Sequence, residues 1–392
     1  MEKLEEKFFL TLQEHSSIKL KLLESYIIPW MRKVLLGING SCFICDTFAG
    51  TGYYEDESEG SPIILINESI SCAEQIKKIN GKKLDKIVLV FVEKDKNNFK
   101  LLKDNIEKKI SQEIVVDEFN KLQNYPNIHI LISNSTHEEF IDNLVTSVNK
   151  LIPSLIFIDP FGYKPIPLKS ISSIISKYDN CEVIINFMYE EINRFFLKDG
   201  SLSFKQTLKD FYGDNINQVK DSIKNLAPKN RRESIINGYK ENLIMSGAKH
   251  TLDIDIFKGS KVKMNIIFAT KSIFGFDTMK KVALDICGNL DYEYYSTGPQ
   301  LSLFESKEYR LEEINKKIGE YIYKKYNNNK VSIRVLNDDL MKHDKYPSYF
   351  LKSGLKYLEK YGKIDKVIKL DGSRRKTGTF PDNSIVYFNS EM

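Results

Sequence analysis

Three short stretches of this 392-residue chain carry residue types that can do chemistry. The first is Asp46-Thr47-Phe48-Ala49-Gly50-Thr51-Gly52. Gly50 and Gly52 permit a tight turn and let a ligand come close to the backbone, and Asp46 sets a carboxylate just in front of that cradle. An ordinary strand-to-helix turn has the same outline. The second is Glu93, in Val90-Phe91-Val92-Glu93-Lys94-Asp95. A carboxylate that ends a strand can accept both hydroxyl hydrogens of a ribose, usually about 20 residues beyond the Gly-rich turn. The gap is longer here, because the acidic loop Glu55-Asp56-Glu57-Ser58-Glu59 and a helix intervene. Asp95 is the rival for that role, and a solvated surface acid is the plain alternative. The third is Ile158-Asp159-Pro160-Phe161-Gly162-Tyr163.

That third stretch resembles the Asp-Pro-Pro-aromatic motif of amino-group methyltransferases. Phe161 stands at the second proline position and Gly162 at the aromatic one, a form similar to that of tRNA guanine-N2 dimethyltransferases. The physical need behind the motif is specific. An exocyclic amine on a base is a poor nucleophile, because its lone pair is delocalised into the ring. Asp159 can accept one N–H and the Pro160 carbonyl another, which turns the lone pair toward an electrophilic methyl group. Phe161 or Tyr163 can stack on a flipped base. A strand-ending turn without chemistry is the alternative.

These residues need elements to hold them. Apolar runs at 41–46, 87–93, 128–133, 155–159 and 182–187 predict five strands, each buried on both faces and separated by helical stretches, as in a parallel sheet. Each candidate stretch then sits at the carboxyl end of a strand, where open α/β sheets bind ligands. Residues 252–270 predict a hairpin turning at Lys258-Gly259-Ser260, followed by a helix to about Cys287. The N-terminal segment 4–36 predicts a helix that Pro29 interrupts or kinks. Gly60-Ser61-Pro62 predicts a helix start with Ser61 as N-cap. The fold expected is a class I methyltransferase-like Rossmann sheet, mostly parallel with an antiparallel terminal hairpin. It would span 1–290 with a helical insertion at about 197–246, followed by a linker at 291–306 and a small domain at 307–392.

Composition bounds the rest. No apolar run approaches the roughly 20 residues that span a bilayer, and the acidic, amphipathic N-terminus does not read as a secretory signal, so the cytoplasm is the expected location. The five cysteines are odd in number and scattered, which argues against a disulfide framework. Cys42 and Cys45 fall on opposite faces of a strand with no second pair at zinc spacing, so they read as core residues and no metal is expected. The net charge of +5 is unevenly spread: residues 305–378 hold 19 Lys/Arg against 11 Asp/Glu. That asymmetry suggests nucleic acid there, with a solvated Lys-rich surface as the equal alternative. The segment 307–392 resembles a winged helix whose basic wing carries Arg374, Arg375 and Lys376 between Gly372 and Gly378. Winged helices also dock proteins.

Several stretches resemble the three-Cys-motif partner family of bacterial proteins: 19–30, 46–62, 157–163, Asn186-Phe187-Met188-Tyr189-Glu190-Glu191-Ile192-Asn193-Arg194-Phe195 and Phe268-Ala269-Thr270. The resemblance implies a methyltransferase-like fold and S-adenosylmethionine as cofactor. Asp46, Phe48, Gly50 and Gly52 would then approach its methionine part, Glu93 its ribose, and Asn134 or Thr136 its adenine edge. Asn186, Tyr189, Asn193 and Arg194 would line the substrate pocket, Arg194 near a phosphate, although an amphipathic buried helix explains that stretch equally well. The expected function is methyl transfer to DNA or RNA, at an exocyclic base amine. The alternative is a nucleic-acid-binding or sensing partner subunit of a radical-SAM-like three-cysteine protein.

Overall fold

A computed structural model describes residues 14–37, 40–79, 84–160, 166–197, 202–213, 216–223, 226–295, 307–373 and 375–390. Phe161, Tyr163, Arg374, the start of the N-terminal helix and positions 296–306 of the expected linker lie outside the described residues. The chain divides into two compact units, Met1–Gly275 and Phe276–Met392.

In the first unit, helix α1 (Glu14–Leu35) leads into β1 (Ser41–Asp46). There follow α2 (Ser61–Lys77), β2 (Lys86–Val92), α3 (Lys96–Ile110), β3 (Asn120–Lys121), β4 (Ile128–Ser133), α4 (His137–Ser147), β5 (Ser154–Ile158), α5 (Leu168–Lys177) and β6 (Cys181–Phe187). Within this unit the strands lie in the order β3-β4-β2-β1-β5-β6-β8-β7, with β7 (His250–Lys258) and β8 (Lys261–Thr270) forming the hairpin. Strands β4, β2, β1, β5 and β6 are parallel, and β8 pairs antiparallel with both β6 and β7. This is the Rossmann-like, mostly parallel sheet with an antiparallel terminal hairpin that the alternation of runs implied. Every residue of β1, β5 and β6 is buried, as the continuous apolar runs require. β4 alternates buried and half-buried, because only the two-residue β3 lies beyond it. The chain winds outward from β1 on one side and from β5 on the other. The crevice at their carboxyl ends is therefore the topological switch point.

Helices α6 (Tyr189–Leu197), α7 (Leu202–Tyr212), α8 (Ile216–Ile223) and α9 (Pro228–Met245) fill the region expected to be a helical insertion. They close one face of the sheet with Phe211 and Tyr239 packed on Phe187, and Tyr212 against those two rings. The other face carries α1 and α2. Cys42 and Cys45 are both fully buried on β1, and all the cysteines are free. α1 is fixed at Tyr26, whose hydroxyl donates to Glu182 while Thr270 Oγ1 donates to the same carboxylate at 3.1 Å. Burial pushes Glu182 up to about 7.

Two local expectations need correction. Pro29 does not interrupt α1, which runs through it. The proline is on the exposed side, and the hydrogen bond it denies falls to the half-exposed Ser25, whose carbonyl can turn to water. The N-cap of α2 is Gly60 rather than Ser61. Gly60 N–H donates to Gly52 O at 2.8 Å, and a Cβ there would lie 2.9 Å from that same oxygen. The close approach selects glycine.

The second unit begins inside α10 (Ile273–Cys287) and continues through a short strand β9 (Glu293–Tyr295). Then come α11 (Lys307–Tyr326), β10 (Lys330–Ser332), α12 (Ile333–Lys342), α13 (Leu351–Lys360), β11 (Ile364–Lys369) and β12 (Ser384–Phe388). β12 pairs antiparallel with both β10 and β11. The three-residue β10 gave no sequence signal. Lys280 is buried here, and its three N–H donors are shared among the carbonyls of Leu340 (2.8 Å), Met341 (3.1 Å), His343 (2.8 Å) and Tyr346 (3.0 Å). It thus caps the last turn of α12, where helix carbonyls lack intrahelical partners.

Among the described residues no helix is long and apolar enough to cross a membrane, and no three metal-ligating side chains cluster.

Candidate functional site

The crevice at the carboxyl ends of β1, β2, β5 and β6 gathers most of the residues singled out above. Gly50 and Gly52 take the positive φ values of 61° and 85° that glycine adopts without strain, and they turn the chain away from β1. Gly50 N–H donates to Glu93 Oε2 at 3.0 Å, and Asp95 N–H to Oε1 at 2.8 Å. Glu93 thereby ties the Gly-rich turn to the end of β2. It keeps spare lone pairs, since an ionised carboxylate has about four acceptor sites. Burial raises its pKa. Asp95, its rival, instead caps α3 by accepting from Asn97 N (2.9 Å) and Asn98 N (2.8 Å).

Asp46 is fully buried. Its Oδ1 accepts from Phe48 N at 3.0 Å, and the Ser61 side chain also interacts with the carboxylate, whose Oδ2 has no close hydrogen bond. Burial pushes its pKa up to about 7. Tyr54, on the loop after the turn, faces both Asp159 and Asp46, and burial with those carboxylates pushes its phenol upward.

Asp159 is 4% exposed and both its oxygens are engaged. Oδ2 pairs with the ammonium of Lys19 from α1, and Oδ1 accepts from Asn186 Nδ2 at 2.9 Å. This bond fixes the Asn186 amide, because the flipped form would set two acceptors against each other. Asn186 Oδ1 is left buried without a partner. The sequence reading gave Asp159 the task of accepting an amine; in the structure each of its oxygens already accepts one hydrogen bond, and the acceptor beside it that has none belongs to Asn186. Pro160 and Asn186 line a small cavity together with Phe187, Met188, Phe211 and Tyr239.

Other expected residues are placed differently. The Phe48 ring stacks on His137, with centroids 5.5 Å apart, so its side chain serves packing. Thr136 closes a capping box with Glu139 at the start of α4. Asn134 Nδ2 braces the carbonyls of Glu93 (2.7 Å) and Lys94 (3.2 Å). Tyr189 is half-buried near Arg231 and Arg232, and Asn193 Oδ1 is buried without a partner. Arg194 is exposed. In the second unit, Arg375 is turned inward: it pairs with Glu359 of α13, donates to Thr379 O at 3.0 Å and lies over Phe380. Lys376 is the exposed cation among the described residues of that wing, and Lys352 and Lys356 are exposed on α13.

Lys19 is the participant that sequence reasoning missed. It falls on the buried stripe of α1, one turn before Leu22 and Leu23, where a charged residue needs a partner.

No family model matches the chain, and no curated protein does. Among solved structures it is similar to a Legionella pneumophila protein of the DUF519 family, at 12% identity and a TM-score of 0.35, over 68% of this chain and 90% of that one. It is similar to an O-methyltransferase from Bacillus cereus in complex with SAH, at 11% identity and a TM-score of 0.31, over 67% and 83%. It is also similar to Trm1 from Pyrococcus horikoshii in complex with S-adenosyl-L-methionine, at 12% identity and a TM-score of 0.33, over 67% and 58%. Likenesses of this depth leave the chemistry to be read from the chain's own residues.

Proposed function

We propose that this chain is an S-adenosylmethionine-dependent methyltransferase that modifies a neutral exocyclic amine of a nucleic-acid base. The observation that carries this reading is the buried acceptor Asn186 Oδ1, which has no partner and is held in place by Asp159, beside the buried Asp46 and a Gly-rich turn at the switch point of the sheet. A buried acceptor without a donor is costly, so Asn186 Oδ1 is suited to a ligand N–H or O–H.

The cofactor's amino group is a donor suited to Asp46, and its ribose hydroxyls suit the spare lone pairs of Glu93. When bound, the cofactor supplies an electrophilic methyl group. The chain's own residues orient the nucleophile. Asn186 Oδ1 and the Pro160 carbonyl accept the two amine hydrogens, and Asp159 holds the Asn186 amide in the orientation that makes this possible. A neutral amide acceptor does not favour a protonated amine, which has no lone pair to give.

The cofactor assignment has a direct check. Glu93→Ala is expected to weaken S-adenosylhomocysteine binding about 10- to 150-fold in calorimetry, the range for losing hydrogen bonds to a charged acceptor. Unchanged affinity would remove Glu93 from the ribose site.

The second unit supports the choice of a nucleic-acid substrate. Its helix–strand–helix–helix–strand–strand order is compatible with a winged helix, in which α13 would take the position that enters a groove. Because Arg375 is committed to Glu359 and Lys352 pairs with Asp382 at 2.8 Å, the exposed Lys356 and Lys376 would meet phosphate. Lys356→Ala with Lys376→Ala is expected to flatten the plot of log affinity against log salt by up to about 1.8 on duplex DNA, at about 0.9 per contact. Arg375→Ala should leave that slope nearly unchanged and lower the melting temperature instead. An unaltered slope in the double variant would point to a protein partner for this unit.

A further inference from the structure

We propose that the Tyr239 hydroxyl, carried by helix α9 of the inserted helical region, donates a hydrogen bond to the ring nitrogen beside the amine that is methylated, and so selects bases that present this nitrogen as an acceptor. The inference rests on the function proposed above and adds the substrate edge that the insertion reads.

Tyr239 is fully buried, and its ring lines the small cavity that Pro160 and Asn186 also line. The ring is fixed by its neighbours: it stacks on Phe211 with centroids 4.8 Å apart and meets Phe187 at 5.0 Å. Its hydroxyl has no hydrogen-bond partner among the described residues. The other buried tyrosines, Tyr26, Tyr178, Tyr212, Tyr292 and Tyr323, each donate to a carboxylate or a backbone carbonyl. Packing does not explain the exception. Phenylalanine would make the same ring contacts without stranding a polar group in the interior, which is costly.

A hydroxyl without a protein partner and the open acceptor Asn186 Oδ1 thus belong to residues lining one cavity. Together they suit a ligand edge that offers an acceptor next to a donor. Amine-bearing bases have that edge, because the carbon that holds the amine also bonds a ring nitrogen with an in-plane lone pair: N1 of adenine, N3 of cytosine, N3 of guanine. Once Asn186 and Pro160 take the amine hydrogens, the ring nitrogen is the group still in need of a donor. Burial pushes the Tyr239 phenol upward, so it keeps its proton and donates. A base protonated at that nitrogen would offer no acceptor.

Tyr239→Phe keeps the ring and removes only the hydroxyl. Its melting temperature is expected not to fall, and its affinity for S-adenosylhomocysteine not to change. Its kcat/KM for methyl transfer is expected to drop by about 10- to 100-fold. The decisive arm uses an oligonucleotide whose target base carries C–H in place of the ring nitrogen: 1-deazaadenine, 3-deazacytosine or 3-deazaguanine, according to the nucleoside that the wild-type chain labels. This substrate should cost the wild type about 10- to 100-fold and Tyr239→Phe less than about twofold, because both changes remove the same bond. Losses that multiply, or full activity in Tyr239→Phe, would overturn the role of Tyr239 and leave the proposed function standing. A wild-type chain that transfers no methyl group to nucleic acid would retire both.

Discussion

Lys280→Met is expected to lower the stability of the second unit by roughly 3–5 kcal/mol, the range for stranding one side of a buried charged network. The Lys280 side chain is fully buried, and its three donors are shared among four carbonyls, with Asp277 at 3.2 Å. Methionine fills the volume but donates nothing, so the last turn of α12 and the segment to Tyr346 lose their shared donor. Asp277 keeps its bonds from Ser348 N (2.9 Å) and Ser348 Oγ (2.6 Å), which limits the damage on that side. Calorimetric melting of the whole chain should show a transition lowered by on the order of 10 °C. Lys280→Arg is not expected to restore it, because a planar fork cannot reach carbonyls that converge on one point. A melting curve identical to wild type would mean that the carbonyls find water.

The second large effect concerns chemistry. Asn186→Ala is expected to cut methyl transfer by about 10²–10³, the loss typical of removing one preorganised polar group from a reacting centre. Cofactor affinity should be little changed, because Asn186 is assigned to the substrate. Asp159→Ala makes a poorer test of chemistry, since it leaves Lys19 as an unpaired buried cation and destabilises the fold. Asp159→Asn is the informative change: its amide can present an N–H to Asn186, and the orientation of the acceptor is then no longer enforced. A smaller loss than that of Asn186→Ala is expected. Near-normal turnover in Asn186→Ala would return the amine to another acceptor.

Much of this site was legible in the residues. Five apolar runs separated by helical stretches fixed the sheet, and placing Asp46, Glu93 and Asp159 at strand ends located the crevice. What one-dimensional reading lacked was knowledge of which acceptors are already used. Asp159 reads as a free carboxylate until α1 brings Lys19 to it across 140 positions. The signal was present as a lysine on the apolar stripe of a helix. Arg375 likewise reads as one cation among three, and only the packing of the wing on α13 shows it bound to Glu359. Thr136 was open to a better reading, since Thr136-x-x-Glu139 ahead of an apolar helix is a capping-box pattern.

The central claim is methyl transfer, and its most direct test is to incubate the purified chain with S-adenosylmethionine labelled in the methyl group and with total DNA or total RNA. The nucleic acid is then digested and its nucleosides separated. Label in a nucleoside methylated at an exocyclic amine, dependent on Asn186, is the expected result. Cofactor binding with no label in either fraction would contradict the account and favour a sensing or partner-subunit role for the same fold.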